Sequence, residues 1–263
     1  MTTNILTIDT EDWFHVWNGR KAIPQERWDE MSPKINFMVE QTLELLACEN
    51  IVATFFIVGW IAEKNPSLIR QIVGHGHEIA SHGYWHTSVC RQTPAEFHED
   101  VRRAKACLEA ASGQEVKGFR APGYSIGHKE EWALDILLEA GYKYDSSLLH
   151  ATEPFSKLRI GLYEVAPNSL SFCGSHLPSN GGFLFRLAPY FLYKFYASYL
   201  NAHGTPLVFY THTWEIFLDY PRIPMSWHKE FIQYANLGSV KRKLGRLIHD
   251  FDFTSILKAH PSI

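Results

Sequence analysis

The chain has 263 residues, 46% of them hydrophobic, and a formal net charge of −3. That size suffices for the core of one α/β barrel or of two small domains, and the charge balance offers no basic face or charge run for nucleic acid. Residues 1–9 have neither the basic start nor the apolar stretch of a secretory leader, and Cys48, Cys90, Cys107 and Cys173 form no Cys-x-x-Cys, so free thiols in a cytoplasmic setting are expected.

Short β-branched or aromatic runs alternate with helical segments, the pattern of repeated βα units around a parallel sheet. Residues 4–9 read as a strand, and Ser32-Pro33 then opens a helix to about residue 49, with serine as cap and proline at the first helical position. A strand over 52–58 leads to a helix that Asn65-Pro66 starts and Gly74 to Gly76 stops. A short strand over 78–80 precedes His82. Thr93-Pro94-Ala95-Glu96 is a capping box for a helix ending near Gly113. Next come a strand over 117–120, a helix over 129–140 stopped by Gly141, and a strand over 142–146.

Residues 147–188 are the least legible, with strand-like stretches at 162–165 and 169–173 and a polar turn at Asn180-Gly181-Gly182. Residues 183–200 are the most apolar stretch. Arg186, Pro189 and Lys194 interrupt it, so a membrane span is not expected. It reads as a helix covering the barrel, with the alternative that its aromatic face rests against a bilayer or a lipid-linked substrate. A helix ending at Gly204, a strand over 207–211, helices over 227–235 and 239–250 and a strand over 253–256 complete the chain. No repeat or linker interrupts it, so a single domain over residues 1–263 is expected.

The polar residues of interest cluster at predicted strand ends, where a βα barrel builds its active site. Asp9, Glu11 and Asp12 crowd together after the first strand, an arrangement that like-charge repulsion disfavours unless a cation sits among them. His82 and His86 supply imidazoles suited to a borderline ion such as zinc, with a carboxylate as third ligand. Spacing alone leaves Glu11 and Asp12 both open as that ligand. Arg120, Asp145 and His212 fall at further strand ends, and His212 offers the proton donor that hydrolysis at a metal needs.

Taken in order, Thr7-Ile8-Asp9-Thr10-Glu11-Asp12, His82 to His86, Arg120-Ala121-Pro122-Gly123-Tyr124, Tyr144-Asp145-Ser146-Ser147 and Tyr210-Thr211-His212 resemble the motifs of the NodB-type polysaccharide deacetylases, carbohydrate esterase family 4. The acidic start followed by Trp13-Phe14, Gly181-Gly182 with Phe185-Arg186, and His212-Thr213-Trp214-Glu215 more narrowly resemble the subgroup found with bacterial exopolysaccharide assembly. The resemblance implies a distorted (β/α)7-type barrel and a metal-dependent deacetylase. It makes Asp9 the general base, oriented by Arg120. It makes Asp12, His82 and His86 the metal ligands; the extra residues between Asp9 and Asp12 keep Glu11 as the alternative, and Asp12 is preferred on metal–oxygen geometry. A backbone N–H near Tyr124 becomes an oxyanion donor, displaced by the inserted Gly123. His212 becomes the general acid, with Asp145 raising its pKa. Trp214, Glu215 and Arg186 are expected in the substrate pocket.

The substrate this implies is an amino-sugar glycan or a lipid- or nucleotide-linked precursor, handled in the cytoplasm, with peripheral membrane contact as a further expectation. Cyclic amide or imide hydrolysis and sugar O-acetyl ester hydrolysis are the alternatives on the same scaffold. A non-catalytic sugar-binding module is the alternative of another class.

Overall fold

The computed structural model describes residues 2–151, 153–172 and 175–263. Cys173 and the end of the strand expected over 169–173 lie outside them; Cys48, Cys90 and Cys107 are free thiols. The first half alternates β1 (Asn4–Thr10), α1 (Ile35–Ala47), β2 (Thr54–Ile57), α2 (Gly59–Lys64), α3 (Pro66–Gly74), β3 (Glu78–Ser81), α4 (Pro94–Ser112), β4 (Gly118–Phe119), α5 (Trp132–Glu139) and β5 (Tyr144–Asp145). An antiparallel pair, β6 (Phe155–Arg159) and β7 (Leu162–Val165), follows, then a hairpin of β8 (Ser169–Phe172) and β9 (Ser175–Pro178). The rest is α6 (Gly182–Leu187), α7 (Tyr190–Ala202), β10 (Val208–His212), α8 (Thr213–Ile216), α9 (Trp227–Tyr234), α10 (Val240–Asp250), β11 (Phe253–Thr254) and α11 (Ile256–Ala259).

One curled sheet holds the molecule together, in the order β10-β1-β2-β3-β4-β5-β7-β6, with β11 beside the start of β1. All its pairs are parallel except β6 with β7. The distorted α/β barrel expected from the sequence takes the form of a curled half-barrel, with no pairing between β10 and β6 among the described residues.

Strand alternation divides the core in two. Phe55, Ile57, Ile79 and Phe119 face outward and pack with the helices, including Leu108 of α4 and Leu43 of α1. Ile5, Phe56, Ala80, Tyr144, Val165 and Val208 fill the inside of the curl, where Ile256 of α11 joins them. β1 is buried along its whole length, as a central parallel strand must be when helices cover the sheet.

Local signals explain some helix ends. Thr93 and Glu96 make the capping box of α4, and Gly113 ends that helix in the left-handed conformation at φ 68°. Asn65 caps α3 ahead of Pro66. The start of α1 differs from expectation: Ser32 does not cap it, and the helix begins at Ile35. Its free N–H groups are met by a residue distant in sequence, Asp12, whose carboxylate accepts from Lys34 N at 2.9 Å and Ile35 N at 3.1 Å. The stretch over 183–200 is also not one helix. Ala188 and Pro189 break it into α6 and α7, because proline removes a donor and disfavours helix at the residue before it.

Candidate active site

The inward alternation that buries Ile5 carries Asp9 to the inside of the curl at the C-terminal end of β1, and the same parity brings Arg120 and His212 inward after β4 and along β10. Asp9 lies in register with His212. Asp9 and His212 share a cavity of about 250 Å³ with Glu11, His82, His86, Tyr124, Trp214 and Arg186 among its walls, and Arg120 is buried against Asp9. Tertiary structure thus gathers most of the residues that the sequence singled out, Asp12 and Asp145 excepted.

At its centre, Nε2 of His86 stands 2.9 Å from Glu11 Oε1, and Nε2 of His82 stands 3.4 Å from the same oxygen. The rings are fixed from behind. Nδ1 of His82 contacts the carbonyl of Arg120 at 2.8 Å, and Nδ1 of His86 contacts that of His15 at 2.9 Å. A carbonyl only accepts, so each Nδ1 carries a proton and Nε2 is the atom presented to Glu11, a lone pair in the neutral tautomer. Two lone pairs and a carboxylate oxygen converging in a buried site repel one another unless a cation lies between them. Glu11, His82 and His86 therefore fit a divalent ion by donor type, and their ligand atoms lie within 4.8 Å of one another.

The backbone is bent to achieve this. His86 adopts φ 51° and Gly83 φ 73°, a region that costs a non-glycine residue of order 1 kcal/mol or more. Asp100 of α4 stabilises the loop by accepting from Tyr84 N at 2.8 Å and Trp85 N at 3.0 Å. A β-carbon on Gly83 would approach an Asp100 oxygen to 2.9 Å. Nothing in the sequence marks Asp100 for this task, since it sits among ordinary helix-face charges.

Asp12 lies off the cluster. Besides Lys34 and Ile35 it accepts from Trp13 N at 2.8 Å, so both oxygens serve backbone donors, while burial pushes its carboxyl up to about 6. The imidazoles thus meet Glu11, and the carboxylate of Asp12 is turned away from them. Trp214 also has an unforeseen contact: its indole N–H donates to Glu11 Oε2 at 3.3 Å.

Asp9 is bound by an arginine. Arg120 Nη1 donates to Asp9 Oδ1 at 2.8 Å and to Thr7 Oγ1 at 2.9 Å, and its other nitrogens reach Ser146. The guanidinium is fully buried. His212 Nε2 lies 4.0 Å from Asp9 Oδ2.

The partner of His212 is not Asp145. His212 Nδ1 lies 3.1 Å from Glu215 Oε2, and Glu215 Oε1 is paired with Arg186 Nε at 3.1 Å. Arg186 is in turn anchored on the carbonyls of Gln233 and Ile232 at 2.7 and 2.6 Å. Burial disfavours the His212 charge, but the hydrogen bond and charge of Glu215, aided by Glu11 and Asp9, raise its pKa to about 9. Burial likewise opposes the Glu215 charge, and His212 and Arg186 overcome it, lowering Glu215 to about 2. Strand alternation explains the correction: Tyr144 faces the inner core, which sends Asp145 to the opposite face beside Glu164, its register partner. There Asp145 accepts from Ser147 Oγ at 2.6 Å, and that hydroxyl receives Ala121 N–H. Burial raises Asp145 to about 6 and, with the facing Asp145 charge, raises Glu164 well above the usual range.

The backbone N–H expected near Tyr124 is not free. Tyr124 N–H donates to the Ala121 carbonyl at 3.0 Å and is spent. The Tyr124 hydroxyl is buried with no hydrogen-bond partner among the described residues. Burial, and secondarily the nearby Asp9, Tyr210 and Glu215, keep it protonated well above the ordinary phenol range, against the pull of Arg120.

With this geometry in view, the comparisons with known proteins are informative. Residues 27–144 match the family model for polysaccharide deacetylase, and residues 147–260 match a domain of unknown function, DUF3473. A chitooligosaccharide deacetylase of Bradyrhizobium sp. is 29% identical over 136 residues, 51% of this chain and 59% of that protein. The match thus spans about three fifths of the relative's length. A solved structure of a Mycobacterium smegmatis protein classed as a polysaccharide deacetylase aligns over 100% of this chain and 91% of its own, with a TM-score of 0.66 at 18% identity. An allantoinase structure aligns over 98% and 87%, with a TM-score of 0.63 at 16% identity. Likeness at such identities shows a shared fold. Residues 27–144 therefore match the polysaccharide deacetylase family, and the whole described chain shares the fold of the solved structures it resembles.

Proposed function

We propose that the chain is a metal-dependent hydrolase that removes an N-acetyl group from an amino sugar, and that its ion is zinc, held by Glu11, His82 and His86. The observation that carries this reading is the convergence of two Nε2 lone pairs and a carboxylate beside a second, arginine-bound carboxylate. An ion of zinc's ligand preference supplies a Lewis acid for the acetyl carbonyl and makes water more acidic.

The protein's own groups complete the reaction. Asp9 takes the proton of the attacking water, and Arg120 keeps that carboxylate ionised and aimed. The Tyr124 hydroxyl donates to the carbonyl oxygen as negative charge develops there. His212, kept protonated by Glu215, gives its proton to the departing amine. Arg186 acts as a positioning residue through Glu215.

The substrate is an amino-sugar glycan or a lipid- or nucleotide-linked precursor, in keeping with the resemblance to the exopolysaccharide-assembly subgroup. A peripheral membrane contact is part of this proposal. It is supported by α7, where Phe191, Phe195 and Tyr199 form an exposed stripe at helical spacing, 69%, 72% and 54% exposed, next to the exposed Leu192. No helix among the described residues is long and apolar enough to cross a membrane.

Acetate release from N-acetylhexosamine oligomers tests the reading. Chelation is expected to abolish release and zinc to restore it, and Asp9→Asn is expected to lower kcat by at least about a hundredfold. Turnover that survives both treatments removes the mechanism, and ring opening of a cyclic amide without acetate release moves the activity to the alternative substrate class.

A further inference from the structure

A second cavity, of about 310 Å³, adjoins the catalytic cleft and shares Trp17 and His86 with it. Three cationic side chains line it, Arg20, Lys21 and Arg91, against one acid, Glu26. The Arg20 guanidinium carbon lies 3.5 Å from the Trp17 ring centre and that of Arg91 lies 5.4 Å from it. Among the described residues neither arginine has a carboxylate within salt-bridge distance, in contrast to Arg103, Arg120 and Arg186.

Arg20 is fixed in place by donating from Nη1 to the Trp17 carbonyl at 2.8 Å. Its Nε is buried without an acceptor. A charged N–H left buried and unmet is costly, and so is holding two guanidinium groups around one ring without a counter-charge. Burial and the neighbouring Arg91 together lower the Arg20 pKa, so the protein bears a cost here that an anion would relieve.

We propose that this cavity is an anion subsite, taking a phosphate, pyrophosphate or carboxylate group of the substrate while the acetamido group lies against Glu11, His82 and His86. Forked N–H donors match the paired oxygens of all three groups. The shared wall of Trp17 and His86 makes the two cavities successive subsites for one ligand. Trp17 offers its edge and rim to the sugar that links them. The subsite narrows the proposed amino-sugar substrate to an anionic one, and that half of the inference rests on the deacetylase reading.

The test has two independent arms. Binding of inorganic pyrophosphate and of galacturonate is measured by calorimetry on the wild type, Arg20→Gln, Arg91→Gln, the double variant and Arg70→Gln, an arginine outside the cavity. One probe is expected to bind, with a Kd that weakens about tenfold for each cavity arginine removed, weakens with added salt and is unchanged by Arg70→Gln. Pyrophosphate binding points to a phosphorylated substrate and galacturonate binding to a uronate. Failure of both probes to bind, or equal binding by the double variant, overturns the subsite.

In the second arm, acetate release is compared for UDP-N-acetylglucosamine, a uronate-containing oligomer and neutral chitotriose. The double variant is expected to lose the preference for the anionic substrate through KM and to leave the neutral one unchanged. Equal kcat/KM for charged and neutral substrates in the wild type overturns the subsite and leaves the deacetylase reading intact. Arginine-dependent probe binding with no acetate from any substrate does the reverse.

Discussion

Glu11 and Asp12 are adjacent and chemically alike, yet one faces two imidazoles and the other a helix start. Glu11→Gln is therefore expected to lower bound zinc by at least about tenfold, read by elemental analysis after dialysis. Asp12→Ala is expected to keep its zinc and lose about 1 to 2 kcal/mol of stability with the cap, read by denaturant titration. The opposite pattern would return Asp12 to the ligand set. His212 supplies a second prediction. With its pKa raised to about 9 by Glu215, against burial, the proton-donating form is present through neutral pH and is lost as pH climbs through that value. Glu215→Gln removes the group that raises it, so the alkaline limb of kcat/KM is expected to move down by about one unit or more, while Asp145→Asn leaves the limb where it is. Residue types and their order were enough to nominate Asp9, Arg120, His82, His86 and His212. The partner of each depended on which face its strand turned inward, and period-two alternation from Tyr144 is the signal that separates Asp145 from the cleft.

At the scale of the elements, the strongest sequence signals were local ones. The Thr93 to Glu96 box and the Asn65-Pro66 start produced the helices they announced, because their hydrogen bonds close within a few residues. Ser32-Pro33 looked equally good and was bypassed, since Asp12 reaches the first N–H groups of α1 from across the fold. Pairs such as β6 with β7 were hard to read because strands of this length, partly exposed, carry little periodicity. The break at Ala188 and Pro189 matters for function, because it leaves α7 a separate helix with Tyr193 and Ala197 buried and the Phe191–Phe195–Tyr199 stripe outward. A Phe191→Glu, Phe195→Glu double variant is expected to abolish co-sedimentation with anionic lipid vesicles and leave kcat on a water-soluble oligomer unchanged. Equal sedimentation of variant and wild type would remove the membrane contact.

On the scale of the whole molecule, the two family matches meet between residues 144 and 147, but the sheet does not divide there. β1 pairs with β10 from the second match and with β2 from the first, and β5 passes its edge to β7. The residues proposed as catalytic follow suit, with His212 on β10 beside Asp9 on β1. A fragment ending at residue 146 would expose both sides of this join, so it is expected not to fold alone, and the full chain is expected to unfold in one transition by circular dichroism and by tryptophan fluorescence. Two separated transitions would instead mark two domains.

By itself, the sequence determined the βα alternation, the capped helices and the set of chemically apt side chains at strand ends, because periodicity, caps and residue chemistry are properties of short stretches of chain. Only the tertiary structure decided that Glu11 and not Asp12 meets the histidines, that Glu215 and Arg186 stand behind His212, that the Tyr124 N–H is taken by Ala121 while its hydroxyl stays unmet among the described residues, and that Arg20 and Arg91 share one ring. Each of these depends on which groups a curled sheet and its loops bring within hydrogen-bonding reach across large sequence separations, and burial then fixes which charges they retain.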